Sequence, residues 1–209
     1  AWGKRPVEWV LDQADVDGRW CMIHCTQMQP HATEGLAATG AVAVLFPITE
    51  SSLGDGIFDG VRWFDACGKI SIGSDSNIRI SLTEELRTLE YSQRLRDHAR
   101  TVLVKGEGSV GQALYRGAAQ GGAQALGRNA GEIAVGKWAD LMAIDRSHPT
   151  ICALTDGQVL DGLCFAAPDG LVTDLWSAGR HMVRQGRHIE RDRIVPACRS
   201  AIADLLADV

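Results

Sequence analysis

Three short strand-like runs, separated by segments with helical periodicity, constrain the fold of this chain most strongly. They cover residues 19–25, 41–46 and 69–74. The first two are apolar at almost every position, as in strands that helices cover on both faces of a parallel sheet. Parallel strands must be joined by crossovers, and helical segments lie in the right places. The pattern therefore predicts repeated β/α units, the unit from which parallel barrels are built.

The remaining segments are assigned from apolar spacing and from glycine and proline positions. Residues 47–56 are rich in turn formers and are expected to be a long polar loop after the second strand. Residues 136–145 are predicted to turn into a strand, and a hairpin turn is expected at 178–180, before a strand beginning at 181–183. Helices are predicted at 5–15, 30–39, 57–67, 83–104, 110–126 and 195–209, with further strands at 159–166 and 171–177.

A closed barrel needs eight strands, and only three β/α units are visible. A small open α/β sheet is the alternative, but three buried strands would leave two apolar edges unprotected. We therefore interpret the chain as α/β: the carboxyl-terminal part of a (β/α)8 TIM-like barrel, with part of a small β-sandwich domain. The expected boundaries are 1–130 for the barrel part, 131–190 for the β domain and 191–209 for a closing helix.

Two side chains stand where strands of a parallel sheet end, which is where such folds bind ligands. Asp75 follows the third strand within the run Gly73-Ser74-Asp75-Ser76. It can be a metal ligand or a proton acceptor, or simply a helix N-cap or a turn former. His24 ends the first strand. It can be an ordinary hydrogen-bonded core histidine, although its position favours a role in a site.

The composition excludes several classes of function. A formal net charge of −5 argues against nucleic acid as the main partner. No apolar run approaches the ~20 residues of a membrane span, and no signal peptide opens the chain, so we expect a cytoplasmic location without a membrane partner. The six cysteines are irregularly spaced. Cys21, Cys25 and Cys164 are expected to be buried, and the C-x3-C pair does not favour structural zinc.

Several motifs together resemble the formimidoylglutamate deiminases of the amidohydrolase superfamily. The more discriminating ones are T-E-x-x-L-G-D-G-I-F at 49–58 and E-E-L-R-x-L-E-Y at 84–91. G-S-D-S at 73–76 is shared with many superfamily deaminases. G-K-W-A-D-L at 136–141 is similar to the superfamily's entry into its small β domain. The similarity extends over nearly the whole chain.

The resemblance implies roles for the two strand-end residues. Asp75 would ligate one divalent metal, with zinc the favoured ion, and would accept a proton from the metal-bound water. His24 would orient the attacking water without ligating the metal. The implied reaction is hydrolysis of N-formimidoyl-L-glutamate to N-formyl-L-glutamate and ammonia, as in histidine degradation. Metal activation of water and proton transfer to a carboxylate make this chemistry reasonable.

The family's H-x-H metal pair, its fifth-strand histidine ligand and its proton-shuttling glutamate are absent from this sequence. The groups that would hold the substrate carboxylates are expected upstream, and the other five histidines are expected at the surface. We therefore predict that this chain alone binds metal weakly and lacks activity. It would work with the missing amino-terminal part or as a homodimer. Alternatives are a deaminase or chlorohydrolase with a purine or triazine substrate, and a non-catalytic fragment that self-associates.

Overall fold

Two separate sheets organise the chain, which a computed structural model describes over residues 3–104, 106 and 108–207. Short 3-10 turns at Asp156–Gln158 and Asp169–Leu171 accompany the regular elements. In chain order these are α1 (Pro6–Gln13), β1 (Cys21–Ile23), α2 (Pro30–Ala38), β2 (Val42–Leu45), α3 (Pro47–Leu53), α4 (Gly60–Asp65), β3 (Lys69–Ile72), α5 (Leu82–Asp97), α6 (Val110–Ala125), β4 (Leu141–Ile144), α7 (Val159–Phe165), β5 (Val172–Ser177), β6 (Arg180–Arg184), β7 (Arg187–His188) and α8 (Arg191–Ala207).

The first sheet is parallel, in the order β1-β2-β3. Cys21 pairs with Val42, and Val42 pairs in turn with Lys69, so the three strands run side by side in register. Helices connect each strand to the next, and the strands therefore end at one common edge. This arrangement confirms the predicted α/β class and is that of a partial barrel.

The main hydrophobic core surrounds the central strand. Ala43 and Leu45 of β2 are fully buried, and Leu36, Leu86 and Leu114 pack into the same cluster from three helices. Burial of apolar surface around this strand provides the main stabilisation of this layer. The central strand therefore fixes the sheet to its helices.

Strand β1 is more exposed than its sequence predicts. Ile23 is 53% exposed and Trp20, just before the strand, 37%. Cys21 is also exposed, so its expected burial is wrong. Cys25 and Cys164 are buried, as predicted. The reason is topological: within the described part of the chain, β1 is hydrogen-bonded to β2 on one side only. It is an apolar edge of the kind that folded proteins normally cover.

Two segments have a different secondary structure from the predicted one. The expected loop at 47–56 begins with helix α3, because Pro47 occupies its first position and Gly54 ends it in the left-handed region at φ 72°. The expected strand at 159–166 is helix α7, in which Gly162, Leu163 and Cys164 are buried. A short apolar run does not distinguish a strand from a buried helix, and packing against α6 decided the outcome.

Helix α5 is shorter than predicted. Ser81, rather than Thr83, accepts a hydrogen bond from the Glu84 amide at the amino terminus, and His98 ends the helix at φ 51°. The buried carboxylate of Glu90 then accepts the amides of Val102 and Leu103, both at 2.9 Å. Those two bonds satisfy the backbone there without a helix. The other predicted helices are confirmed with shifted ends, and residues 208–209 of the last one lie outside the described residues.

The second sheet is antiparallel, in the order β4-β5-β6-β7. The predicted hairpin is confirmed: β5 and β6 pair across Ala178-Gly179. A small second core of Ile151, Leu163 and Leu171 packs beside this sheet. Among the described residues, no helix combines the length and the apolar character needed to cross a bilayer.

Helix α6 lies directly on the backbone of β3, which leaves no room for a side chain at one glycine of the helix. A Cβ on Gly121 would be 1.9 Å from the carbonyl oxygen of Ile70, whereas a Cβ on Gly117 would be 3.4 Å from the Ile70 side chain. We expect Gly121→Ala to lower the free energy of unfolding by on the order of 3 kcal/mol, because the helix must move away. Gly117→Ala on the same helix should be neutral or stabilising by up to ~1 kcal/mol.

Urea denaturation of the 209-residue chain measures both effects. Equal stabilities for the two variants would show that α6 does not pack on β3 at this distance.

Candidate functional site

The two residues singled out in the sequence come together at the carboxyl edge of the parallel sheet. His24 follows β1 and Asp75 follows β3, and His24 Nε2 lies 3.5 Å from Asp75 Oδ2. Their side chains are 33% and 41% exposed, so both can be reached from solvent. An imidazole beside a carboxylate can share or transfer a proton. The edge is thus a candidate site for proton-transfer chemistry.

Unusual backbone conformations determine the direction of the His24 and Asp75 side chains. His24, Cys25 and Asp75 have φ values of 63°, 56° and 50°. These lie in the left-handed region, which residues other than glycine rarely adopt. Such residues cost of order 1–3 kcal/mol each and persist only where the surroundings hold them. The His24 amide keeps one sheet hydrogen bond, donated to the Val44 carbonyl at 2.9 Å. Strand β1 therefore turns sharply at His24.

Phe46 fills the space between the two strand ends. It follows β2, and its ring packs edge-on against the His24 ring, with centroids 5.2 Å apart. A Cβ on Gly73 would be 2.5 Å from the Phe46 ring, so any larger residue here would force the ring to move. The first residue of the G-S-D-S motif is therefore explained by packing, and the third by its position beside His24.

Glu50 is the site residue that sequence reasoning missed. It lies in α3, its side chain is 5% exposed, and its Oε1 is 3.3 Å from His24 Nδ1. The same oxygen accepts the Phe46 amide at 3.0 Å. Burial raises the pKa of the Glu50 carboxyl, while the Phe46 amide and His24 lower it. The available signal was its place just after the end of β2, as the one acidic residue between Pro47 and Gly54 in the sequence.

Thr49, the residue before Glu50, binds the backbone on both sides of Asp75. Its hydroxyl donates to the Ser74 carbonyl at 3.0 Å and accepts the Ser76 amide at 3.1 Å. The residue is 1% exposed. One buried hydroxyl thus holds the peptide groups on both sides of Asp75.

Glu85 lies behind this layer as a second buried carboxylate. It is 1% exposed, and one oxygen accepts the Ile48 amide at 2.8 Å. Its other oxygen has no hydrogen-bond partner among the described residues. Burial raises the pKa of Glu85 to about 7, and the nearby charge of Glu50 contributes to the same rise.

The other histidines do not join the site. His31 and His98 are exposed as expected, whereas His148, His181 and His188 are half-buried. His181 Nε2 lies 2.7 Å from Asp174 and its ring stacks on Trp176, in the second sheet. The surface prediction is therefore only partly correct.

Enzymatic zinc sites normally use three protein ligands and water. Within the described ranges, no group of three or more histidine, cysteine, aspartate or glutamate side chains could hold a metal ion. The Asp75 carboxylate is a suitable single ligand, but these residues do not fit a complete metal centre.

Fold and site together define the class of protein: part of a β/α barrel with polar side chains at the carboxyl ends of its strands. The family model for the amidohydrolase family matches residues 5–182, and the chain belongs to that family.

Two curated relatives show which members of the family this chain is similar to. The chain is 42% identical over 208 residues to formimidoylglutamate deiminase from Pseudomonas aeruginosa, covering 99% of this chain and 46% of that protein. It is 27% identical over 181 residues to a 5-methylthioadenosine/S-adenosylhomocysteine deaminase from Pyrococcus abyssi, covering 85% of this chain and 41% of that protein. The resemblance inferred from the motifs is confirmed, and the chain spans less than half the length of these relatives.

Solved structures agree on the fold. An amidohydrolase from Brucella melitensis superimposes with a TM-score of 0.92 at 45% identity, covering 98% of this chain and 45% of that one. An adenosine deaminase from Xanthomonas campestris with bound zinc gives 0.83 at 28% identity, covering 99% and 46%. The described residues therefore have the backbone arrangement of nearly half of an amidohydrolase.

The raised pKa of Glu85 makes stability depend on pH. Ionising this buried carboxyl costs the folded state more than the unfolded state, so stability falls as pH rises from about 4.5 to about 7. Glu85→Gln removes that ionisation. The unfolding free energy of the parent should fall by about 3 kcal/mol between pH 4.5 and pH 8 through this group, and that of the variant should not. The variant's stability relative to the parent therefore rises by about 3 kcal/mol over this range.

Urea denaturation of the 209-residue chain at several pH values measures the gain, with the exposed Glu132→Gln as control. A parent and a Glu85→Gln variant with parallel pH profiles would contradict the assignment.

Proposed function

We propose that this chain forms the carboxyl-terminal part of a formimidoylglutamate deiminase. The complete protein would hydrolyse N-formimidoyl-L-glutamate to N-formyl-L-glutamate and ammonia. The observation that carries the proposal is the 42% identity to such an enzyme along essentially the whole chain. The His24–Asp75 pair at the carboxyl edge of the sheet supports it, because it offers groups suited to hydrolysis.

We also propose residues 1–130 as barrel, 131–190 as β domain and 191–209 as closing helix.

The reaction needs one water and no redox partner. Oxygen of the water bonds to the formimino carbon, the bond from that carbon to its terminal nitrogen breaks, and ammonia leaves with the protons that the water supplies. Asp75 would accept a proton from the attacking water. His24, 3.5 Å away, would hydrogen-bond the water and the adduct that forms.

A divalent metal, with zinc favoured, would complete the site in the whole protein. A zinc-bound deaminase among the solved relatives supports this choice. Asp75 would supply one ligand, and the others would come from outside this chain, since the described residues offer no complete site. We further propose a small-molecule substrate, a cytoplasmic location, and assembly with the missing amino-terminal part or as a homodimer.

A second candidate is another deaminase of the same family. Matches at 27% identity to 5-methylthioadenosine/S-adenosylhomocysteine deaminases favour it. The higher identity to formimidoylglutamate deiminase favours the first candidate. The exposed edge of β1 would also suit a self-associating fragment without activity.

A chimera tests whether this chain can complete a formimidoylglutamate deiminase, because the upstream groups expected to hold the substrate carboxylates are kept from the known enzyme. Residues 5–207 of this chain would replace the aligned part of the Pseudomonas aeruginosa formimidoylglutamate deiminase. We expect zinc-dependent ammonia release from N-formimidoyl-L-glutamate, and none above background from 5′-methylthioadenosine. Asp75→Asn in the chimera should lower kcat by at least about 100-fold, because it removes both a ligand and a proton acceptor.

Circular dichroism and gel filtration establish that the chimera folds. Ammonia release from 5′-methylthioadenosine instead would support the second candidate. A folded, zinc-loaded chimera that is inactive on both substrates would reject the proposed function.

The isolated 209-residue chain provides a complementary test. We expect weak zinc binding in calorimetric titration, because one carboxylate is too few ligands, and no ammonia release from N-formimidoyl-L-glutamate. Metal-dependent ammonia release by this chain would show that it contains a complete site.

A further inference from the structure

We infer that Thr49 and Glu50 are positioning residues that together set the geometry of the His24–Asp75 pair. This inference rests on the proposed function for its kinetic test, but not for its structural test. Neither residue is assigned a contact with the reacting atoms. Each holds one member of the pair from the same buried helical turn.

The first argument is the placement of the two residues. Strand β2 ends at Leu45, and α3 begins at Pro47, so Thr49 and Glu50 lie in the first turn of a helix beside the site. They are 1% and 4% exposed. Buried polar side chains are costly unless they are hydrogen-bonded, and both direct their polar atoms to the site residues.

Thr49 acts on the Asp75 side. Its hydroxyl uses its proton for the Ser74 carbonyl and a lone pair for the Ser76 amide, so both peptide groups flanking Asp75 are tied to one oxygen. Asp75 itself has φ 50°. An unfavourable backbone conformation persists only where its surroundings fix it, and Thr49 provides that constraint.

Glu50 acts on the His24 side. Its Oε1 is anchored by the Phe46 amide at 3.0 Å and lies 3.3 Å from His24 Nδ1. An ionised carboxylate only accepts hydrogen bonds, so it favours the tautomer with the proton on Nδ1. Nε2, beside Asp75, then carries no proton and can accept a hydrogen bond from a water molecule. The hydrogen bond that one ring nitrogen of a histidine makes determines which nitrogen carries the proton.

Matched variants of the chimera test both contacts kinetically. Thr49→Val keeps the shape without the hydroxyl, whereas Thr49→Ser keeps the hydroxyl. Glu50→Leu removes the acceptor, whereas Glu50→Gln keeps an acceptor oxygen. We expect T49V and E50L each to lower kcat on the order of 10- to 100-fold, with KM within about threefold of the parent. T49S and E50Q should recover most of the activity.

Ser51→Ala is the control for damage to the helix, because the Ser51 hydroxyl donates within α3, to the Pro47 carbonyl. It should leave kcat within about twofold of the parent, since a helix-internal contact does not reach the pair. The inference is wrong if folded T49V and E50L keep parent kcat, if S51A loses as much, or if the conservative variants fail to rescue.

Nuclear magnetic resonance of the 209-residue chain tests the geometry without any activity. Imidazole nitrogen shifts should show His24 with its proton on Nδ1 in the parent and E50Q, and on Nε2 in a large fraction of E50L. The Ser76 amide should exchange slowly in the parent and T49S, and much faster in T49V. Unchanged tautomer and exchange would overturn the inference even if the chimera is active. An inactive parent chimera with the expected spectra would reject only the proposed function.

Discussion

Parallel pairing of three strands is the constraint on which the rest of this structure depends. Because β1, β2 and β3 run side by side in register, their carboxyl ends meet at one edge. His24, Phe46 and Asp75, which are far apart in sequence, are neighbours there only for this reason. The pairing is held by the buried central strand, so the hydrophobic core and the polar site are two consequences of one arrangement.

The edge of that core contains more buried polar groups than stability alone would favour. Thr49, Glu50 and Glu85 are each less than 5% exposed. Amides at the start of α3 offset part of the cost of burial, because Phe46 and Ile48 donate to the two carboxylates. The strained backbone at His24 and Asp75 adds to the cost. Buried polar side chains and strained backbone that cluster in one place are typical of functional sites.

The exposed edge of β1 relates this site to the family. Strand β1 is an exposed apolar edge in the described part of the chain, and the chain spans less than half the length of its relatives. The residues described here bring a carboxylate and an imidazole to the edge, but no group of three or more side chains that could hold a metal ion. The proposed chemistry is therefore assigned to a complete protein, to which this chain would contribute one side of the site.

The sequence by itself determined the three β/α units, the hairpin of the second sheet, and His24 and Asp75 as strand-end residues. Apolar periodicity and turn residues are local signals, and parallel topology brings strand ends together. Only the tertiary structure decided that residues 159–165 form a helix, that β1 is exposed, and that Glu50 contacts a histidine 26 residues before it. Those outcomes depend on which surfaces pack together. Contacts between distant segments do not produce a periodic pattern in the amino-acid sequence.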